Sequence, residues 1–250
     1  MKFSANLGFL WTDLSLPDAI RAAQVAGFDA VECHWPYDTP ATQVRAALEE
    51  TGLPMLGLNT IRGATGENGL SALPGRAAEA RSAVDQALDY ATAIGAGAMH
   101  VMAGFAQGSD AHTAFVNTLT YACAAAKPLG VTILIEPLNT YDAPGYFLQT
   151  TSQALAVMTD VDAPNLRLMF DCYHVQLMEG DLTNRLTRLM PHIGHIQFAG
   201  VPARGSPDVG EVHYPHIFEH LEQLGYTHPL GAEYKPSGPT EDSLGWLNRL

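Results

Sequence analysis

The sequence predicts a (β/α)8 TIM barrel, one domain spanning residues 1–250, and three observations carry that prediction. Short apolar runs alternate strictly with longer stretches of 3.6-residue spacing, an order that gives parallel strands joined by right-handed crossovers. The alternation occurs eight times, the number that closes a barrel. The chain is 250 residues long and 47% hydrophobic, which matches the usual barrel size of about 250 residues. An open doubly wound sheet also alternates and is the competing architecture. It would carry a Gly-rich phosphate turn after the first strand, but that segment reads Asn6-Leu7-Gly8-Phe9-Leu10-Trp11, with neither GxGxxG nor GK[ST].

The elements follow in order. A strand over Phe3–Phe9 leads to a helix opened by Leu16-Pro17-Asp18 and stopped at Gly27; a strand over Ala30–Trp35 leads to a helix from Pro40 to Gly52. The third strand, Met55–Asn59, is followed by the longest irregular stretch, Gly63–Gly75, a candidate lid or substrate wall, and then by an Ala-rich helix from Pro74-Gly75-Arg76 to Gly95. Ala98–Ala103 precedes a helix from Asp110 to Pro128-Leu129-Gly130, and Val131–Glu136 precedes one that begins at Ser152. Leu166–Asp171 is followed by a helix at Asp181-Leu182-Thr183, Ile193–Ala199 by one from Tyr214-Pro215 to Gly225, and Leu230–Tyr234 by one at Thr240-Glu241-Asp242. Gly27, Gly52 and Gly130 each stand between a helix and the next strand, where a left-handed residue ends the helix and turns the chain back to the sheet.

Charge narrows the function classes. Thirteen Lys+Arg against 26 Asp+Glu leave a formal charge of −13, a field that repels phosphate backbones and anionic lipid, so the expected partner is a small molecule rather than nucleic acid or membrane. Three cysteines without CxxC spacing, Cys33, Cys123 and Cys172, read as buried hydrophobes in a reducing compartment. The opening MKFSANLGFLW is too broken for a signal-peptide core, and no run of 18 apolar residues exists, so a soluble cytoplasmic protein is expected, with a homo-oligomer left open.

In a barrel, catalytic groups gather at the carboxyl ends of the strands. Strands five to eight end in Glu136, Asp171, Gln197 and Glu233. One carboxylate at a strand end is ordinarily a solvated or capping group, but three with an amide at successive ends would repel one another unless a cation sat between them. Hard oxygen donors without a thiolate suit one divalent ion, Mg2+ or Mn2+, better than zinc. His174, three residues after Asp171, is placed to hydrogen-bond a substrate oxygen or to act as a structural histidine. Arg204 and Lys235, near this acidic set, point to an anionic substrate. His195 shares a strand face with Gln197 and reads either as a competing ligand or as a core histidine. Of Glu32 and His34, one is expected to point into the helix layer; Asn6, Asn59 and His100 are expected to hydrogen-bond neighbours.

At these residues the chain resembles the hydroxypyruvate isomerase family of the xylose-isomerase-like TIM barrels. IEPLN (135–139), FDCYH (170–174), HIQFAG (195–200), GEVHYPHIF (210–218) and AEYKP (232–236) carry the likeness, and FSANLGFL, FDAVE, GLSALPGR and EGDLTN extend it over nearly the whole chain. GLSALPGR, HVMAG (100–104) and GEVHYP are similar to 2-oxo-tetronate isomerases as well. The resemblance implies that Glu136, Asp171, Gln197 and Glu233 hold one divalent metal, with Glu136 and Glu233 doubling as the acid/base pair. It also places His174, Arg204, Asp142 and Lys235 around a small hydroxy-oxo acid. Ketose 3-epimerases of similar layout commonly have histidine where this chain has Gln197. The implied reaction is aldose–ketose isomerisation, for instance of hydroxypyruvate to tartronate semialdehyde; an abasic-site endonuclease on the same barrel is the reading from another class, opposed by the charge of −13.

Overall fold

Eight short parallel strands form one sheet in the order β2-β1-β8-β7-β6-β5-β4-β3. They are β1 (Phe3–Asn6), β2 (Ala30–Glu32), β3 (Gly57–Asn59), β4 (Ala98–His100), β5 (Thr132–Ile135), β6 (Leu166–Asp171), β7 (Ile193–Phe198) and β8 (Leu230–Ala232). The two ends of the sheet meet: Leu56 N donates to Val31 O at 2.8 Å and Cys33 N to Gly57 O at 3.1 Å, which closes the ring into the expected barrel. The computed structural model describes residues 1–247 and 249.

Outside the strands lie α1 (Leu16–Ala26), α2 (Ala41–Thr51), α3 (Ala77–Ile94), α4 (Gly108–Ala126), α5 (Thr151–Val161), α6 (Cys172–Met178), α7 (Leu182–Leu189) and α8 (Tyr214–Gln223). Gly27 and Gly52 adopt the left-handed conformation expected of helix stops, and Gly130 does so after a 3-10 turn that extends α4. Two expectations need correction. The stretch opened by Thr240 is a 3-10 helix, Thr240–Trp246, that serves to seat Trp246 against Phe3 and Phe198, with ring centroids at 5.2 and 5.4 Å. The unexpected α6 starts directly at the end of β6 because Asp171 Oδ1 caps it, accepting from Tyr173 N at 2.8 Å.

Most strands stop earlier than their apolar runs. After His100 the chain leaves the sheet to bond the 61–75 loop: Ala72 N donates to Ala103 O at 2.7 Å, and Ser71 N to Met102 O at 3.4 Å. That loop is pinned rather than free to swing, since Gly69 (φ +111) lies so close to β4's extension that a Cβ there would fall 2.4 Å from Met102 O. A wall, not a lid, fits this anchoring.

The barrel axis is only partly filled. Gly57, Ala98, Thr132 and Gly194 line an internal cavity of about 360 Å3 that runs from His34, Asn59 and Gln197 to Pro54, Gly95 and His228 at the N-terminal end. Small side chains leave room where TIM barrels ordinarily pack layers of bulky residues. Among the described residues no helix is long and apolar enough to cross a membrane.

Candidate active site

The carboxyl ends of the strands surround a second cavity, about 370 Å3, lined by Glu136, Asp142, His174, Arg204, Glu233 and Lys235 among others. Asp171 and Gln197 are buried beneath it. The sequence-chosen residues therefore converge on one end of the barrel, from β5, β6, β7, β8 and the loops that follow them.

Each carboxylate has a different setting. Glu136 follows β5 and is buried; burial and the nearby Glu233 and Asp171 charges push its pKa well above the usual carboxylate range. Asp171 uses Oδ1 as the cap of α6, leaving Oδ2 aimed at the site; burial, against the pull of Arg204, pushes its pKa to about 7. For Glu233, burial works upward but is outweighed by Arg204 and His34, which hold the pKa to about 2. Arg204 Nη2 lies 2.6 Å from Glu233 Oε2, His34 Nε2 2.8 Å from Glu233 Oε1, and Asn6 Nδ2 donates to that same Oε1 at 3.0 Å.

Arg204 is thus committed inward. Its guanidinium is buried between the rings of Phe9 and Tyr173, at 4.7 and 5.0 Å, and reaches Asp171 Oδ2 and Asp142 Oδ2 at 3.6 Å each. Asp142 in turn accepts from Tyr173 OH at 2.9 Å and Asn139 Nδ2 at 3.2 Å. Lys235 stands at the rim with Nζ 5.7 Å from the Phe9 ring centre.

His174, Glu136 and Asp171 each offer a ligand atom within 4.8 Å of the others; Glu233 is not one of that set. The tautomer decides what His174 contributes. Asn139 N donates to His174 Nδ1 at 3.0 Å, so in the neutral ring the proton sits on Nε2, which faces Asp171 Oδ2 at 3.6 Å and Glu136 Oε1 at 3.8 Å. Burial and Arg204 push the pKa of His174 to about 3, keeping the ring neutral. His174 is therefore a hydrogen-bond donor toward the site, not a lone-pair ligand.

The donor chemistry fits a hard divalent cation. Glu136 Oε1, Asp171 Oδ2 and Gln197 Oε1 are buried without a hydrogen-bond partner, a costly arrangement for oxygens unless something electropositive meets them. Three of the four expected ligands thus present an unmet oxygen. The fourth, Glu233, is held by Arg204, His34 and Asn6, which separates it from the other three in this structure.

Several site residues were underrated by sequence reasoning. Glu32 and His34 both point inward, contrary to the expectation that one would face the helices, because residues two apart share a strand face; His34 reaches Glu233 and Glu32 Oε2 lies 2.6 Å from His195 Nε2. Of the two readings of His195, the core-histidine one agrees with this contact. Asn6 bonds two carboxylates, and His100 is buried with neither nitrogen hydrogen-bonded, its Nδ1 3.6 Å from Glu136 Oε2. Glycine was the overlooked signal: a Cβ at Gly8 would strike the His34 ring at 2.1 Å, and one at Gly231 would lie 2.3 Å from Glu32 Oε1. Arg62, stacked 4.7 Å over Trp35, is a further cation at the mouth.

A TIM barrel whose carboxylates meet at the carboxyl ends of its strands, beside a small closed-in cavity, is the architecture of a small-molecule enzyme. Residues 20–250 match the family model of the xylose isomerase-like TIM barrel, and the chain belongs to that family. It is 44% identical to a 2-oxo-tetronate isomerase of Cupriavidus necator over 252 residues, covering 98% of this chain and 97% of the relative. It is 36% identical to a hydroxypyruvate isomerase of Escherichia coli, covering 99% and 98%. The crystal structure named AP endonuclease, family 2, from Brucella melitensis superposes with a TM-score of 0.96 at 37% identity, covering 99% of this chain and 98% of that one.

Proposed function

We propose that the chain is an aldose–ketose isomerase of a small hydroxy-oxo acid, interconverting hydroxypyruvate and tartronate semialdehyde or their four-carbon homologues. The observation that carries this reading is the pair Glu136 and Glu233, which line one cavity from strands on opposite sides of Asp171 and Gln197 and sit in opposite electrostatic settings. Full-length identity of 36–44% to the two isomerases supports it.

The reaction moves one proton from C3 to C2 of the acid, while the C2 carbonyl becomes a hydroxyl and the C3 hydroxyl a carbonyl. Substrate and product are isomers, so no redox cofactor enters. Glu233, ionised against Arg204 and His34, and Glu136, whose Oε1 is left without a hydrogen-bond partner, stand as the pair that takes the proton from one carbon and returns it to the next. Positioned acid and base groups of this kind contribute typically 10²–10⁴ each in rate, by order of magnitude. The Nε2–H of neutral His174 offers a hydrogen bond to a substrate oxygen beside Glu136. Arg62 and Lys235, without an acidic partner among the described residues, give the rim the positive charge that a substrate carboxylate needs above so acidic an interior.

A divalent cation held by Glu136, Asp171, Gln197 and Glu233 would supply Lewis-acid stabilisation of the enediolate's negative charge. The unpartnered oxygens of Glu136, Asp171 and Gln197 support this ligand set, with Mg2+ or Mn2+ suited to oxygen donors.

The test is a panel of three- to six-carbon hydroxy-oxo acids and neutral ketoses with Mg2+ or Mn2+, read by turnover and by deuterium exchange from solvent into the substrate C–H. Turnover confined to the acids is expected; exchange and turnover absent across the panel would remove the isomerase. The name of the Brucella structure raises cleavage at abasic sites as a second reading. Against it, a duplex backbone would meet 26 acidic and 13 basic residues. Incubation with an abasic duplex should leave it uncut.

A further inference from the structure

We propose that Glu32 is a positioning residue of the site, which sets the face that Gln197 turns to the ligand cluster and, through Asn6, anchors Glu233. The inference rests on the metal reading above. Glu32 Oε2 is taken by His195 Nε2 at 2.6 Å; its Oε1 receives Gln197 Nε2 and Asn6 Nδ2, both long at 3.4 Å. Asn6 has no choice of orientation, since its Oδ1 accepts from Gly8 N at 2.9 Å, which leaves its NH2 for Glu32 and for Glu233 Oε1 at 3.0 Å. All of these side chains except the backbone donor of Gly8 are buried.

An amide carries a donor at one end and an acceptor at the other, and only the acceptor can ligate a cation. With Glu32 beneath it, Gln197 must place NH2 downward, because the reverse orientation sets oxygen against carboxylate oxygen. Oε1 is then left facing the site, buried and without a partner. A carboxylate bonded to the NH2 also draws positive character to nitrogen and leaves Oε1 more negative, the effect by which groups behind a metal's ligands strengthen those ligands.

The fold reserves space for this arrangement. Gly231 of β8 pairs in register with Ser4 of β1 and Gln197 of β7. A Cβ there would lie 2.3 Å from Glu32 Oε1, 2.8 Å from Gln197 Cγ and 2.9 Å from His195 Nε2. Glycine at 231 is thus required by the buried cluster itself.

The test measures Mn2+ affinity by titration calorimetry and by the free-ion electron paramagnetic resonance signal, with circular dichroism on every variant. Glu32→Gln should bind Mn2+ about 10–100-fold more weakly than the parent. In a Gln197→Glu background the same Glu32→Gln change should instead strengthen binding, because a carboxylate at 197 needs no orienting acceptor and is repelled by Glu32. That reversal of sign is something a merely structural glutamate would not give. Should Glu32→Gln fail to fold, Gly231→Ala, which pushes a methyl into Glu32 and Gln197 without altering any polar group, should weaken Mn2+ binding in its place. Mn2+ affinity within twofold of the parent in folded Glu32→Gln, or in Gly231→Ala where that variant stands in, overturns the proposal, as does a loss of the same sign in both backgrounds. A parent that takes up no Mn2+ overturns the metal reading and this inference together.

Discussion

Glu233 receives Arg204, His34 and Asn6 on its two oxygens, whereas Glu136 Oε1 has no hydrogen-bond partner and His100 sits unbonded beside its other oxygen. Two glutamates of like chemistry are thereby driven to opposite ends of the carboxylate range. Burial is common to both; what differs is that Arg204 and His34 bond Glu233 directly, whereas at Glu136 the like charges of Glu233 and Asp171 outweigh the more distant Arg204. Glu233→Gln and Glu136→Gln each remove a proton acceptor or donor while keeping shape, so each should lower kcat by about 10²–10⁴ with an unchanged far-ultraviolet circular dichroism spectrum. A fully active Glu233→Gln protein would remove the two-glutamate scheme. Arg204 gives a contrasting expectation: Arg204→Ala leaves Glu233 and Asp171 buried without their cation, and should cost about 3–5 kcal/mol in stability by chemical denaturation.

At the level of elements, the 61–75 loop is fixed to the extension of β4 by Gly69 and Ala72, and it carries Arg62 to the mouth against Trp35. Arg62 touches no carboxylate among the described residues; its Nε donates to Asn68 Oδ1 at 3.2 Å within the loop, so its removal leaves the buried carboxylates with their partners. Arg62→Ala is expected to raise KM for a hydroxy-oxo acid about tenfold, the low end for a lost charge-assisted hydrogen bond, with kcat little changed and no effect on a neutral ketose. Equal losses on acid and neutral substrates would show that Arg62 does not read the carboxylate. How far the site was legible follows the same elements. Glu136, Asp171, Gln197 and Glu233 announce themselves because each interrupts an apolar run at its carboxyl end. Glu32 and His34 also end a run, but their shared face follows only from counting two along a strand that the sequence extends past its actual end at Glu32. Arg62 sits in an irregular stretch without periodicity, where only tertiary anchoring through Gly69 gives it a place. Likewise α6 was hidden because Asp171 is at once the last strand residue and the helix cap, so no loop separates the two.

For the whole molecule, a charge of −13 and the buried carboxyls of Glu136 and Asp171 act in the same direction as pH rises. Asp171 has its pKa raised by burial from an ordinary 3.8 to about 7. Between those values the folded chain keeps a proton that the unfolded chain has released, so this group's contribution to stability is whole below the ordinary range and is lost as pH climbs toward 7. Glu136 acts with the same sign. Glu233, depressed to about 2, has the opposite sign: its contribution is whole above the ordinary carboxylate range and is lost only as pH falls toward 2. Near neutrality the cost therefore lies at Glu136 and Asp171, and a divalent cation that binds their ionised forms relieves it in competition with protons. At pH 8, Mn2+ at a hundred times its dissociation constant should stabilise the fold by about 2.7 kcal/mol, a rise in Tm of roughly 5–10 °C for a chain of this size. At pH 5, two pH units below the Asp171 pKa, proton competition at that one group weakens binding about 100-fold, and the same Mn2+ concentration should add only about 0.4 kcal/mol. Paired calorimetric scans with Mn2+ and with chelator at the two pH values measure the difference, and a cation-induced shift as large at pH 5 as at pH 8 would place the ion somewhere other than on Glu136 and Asp171.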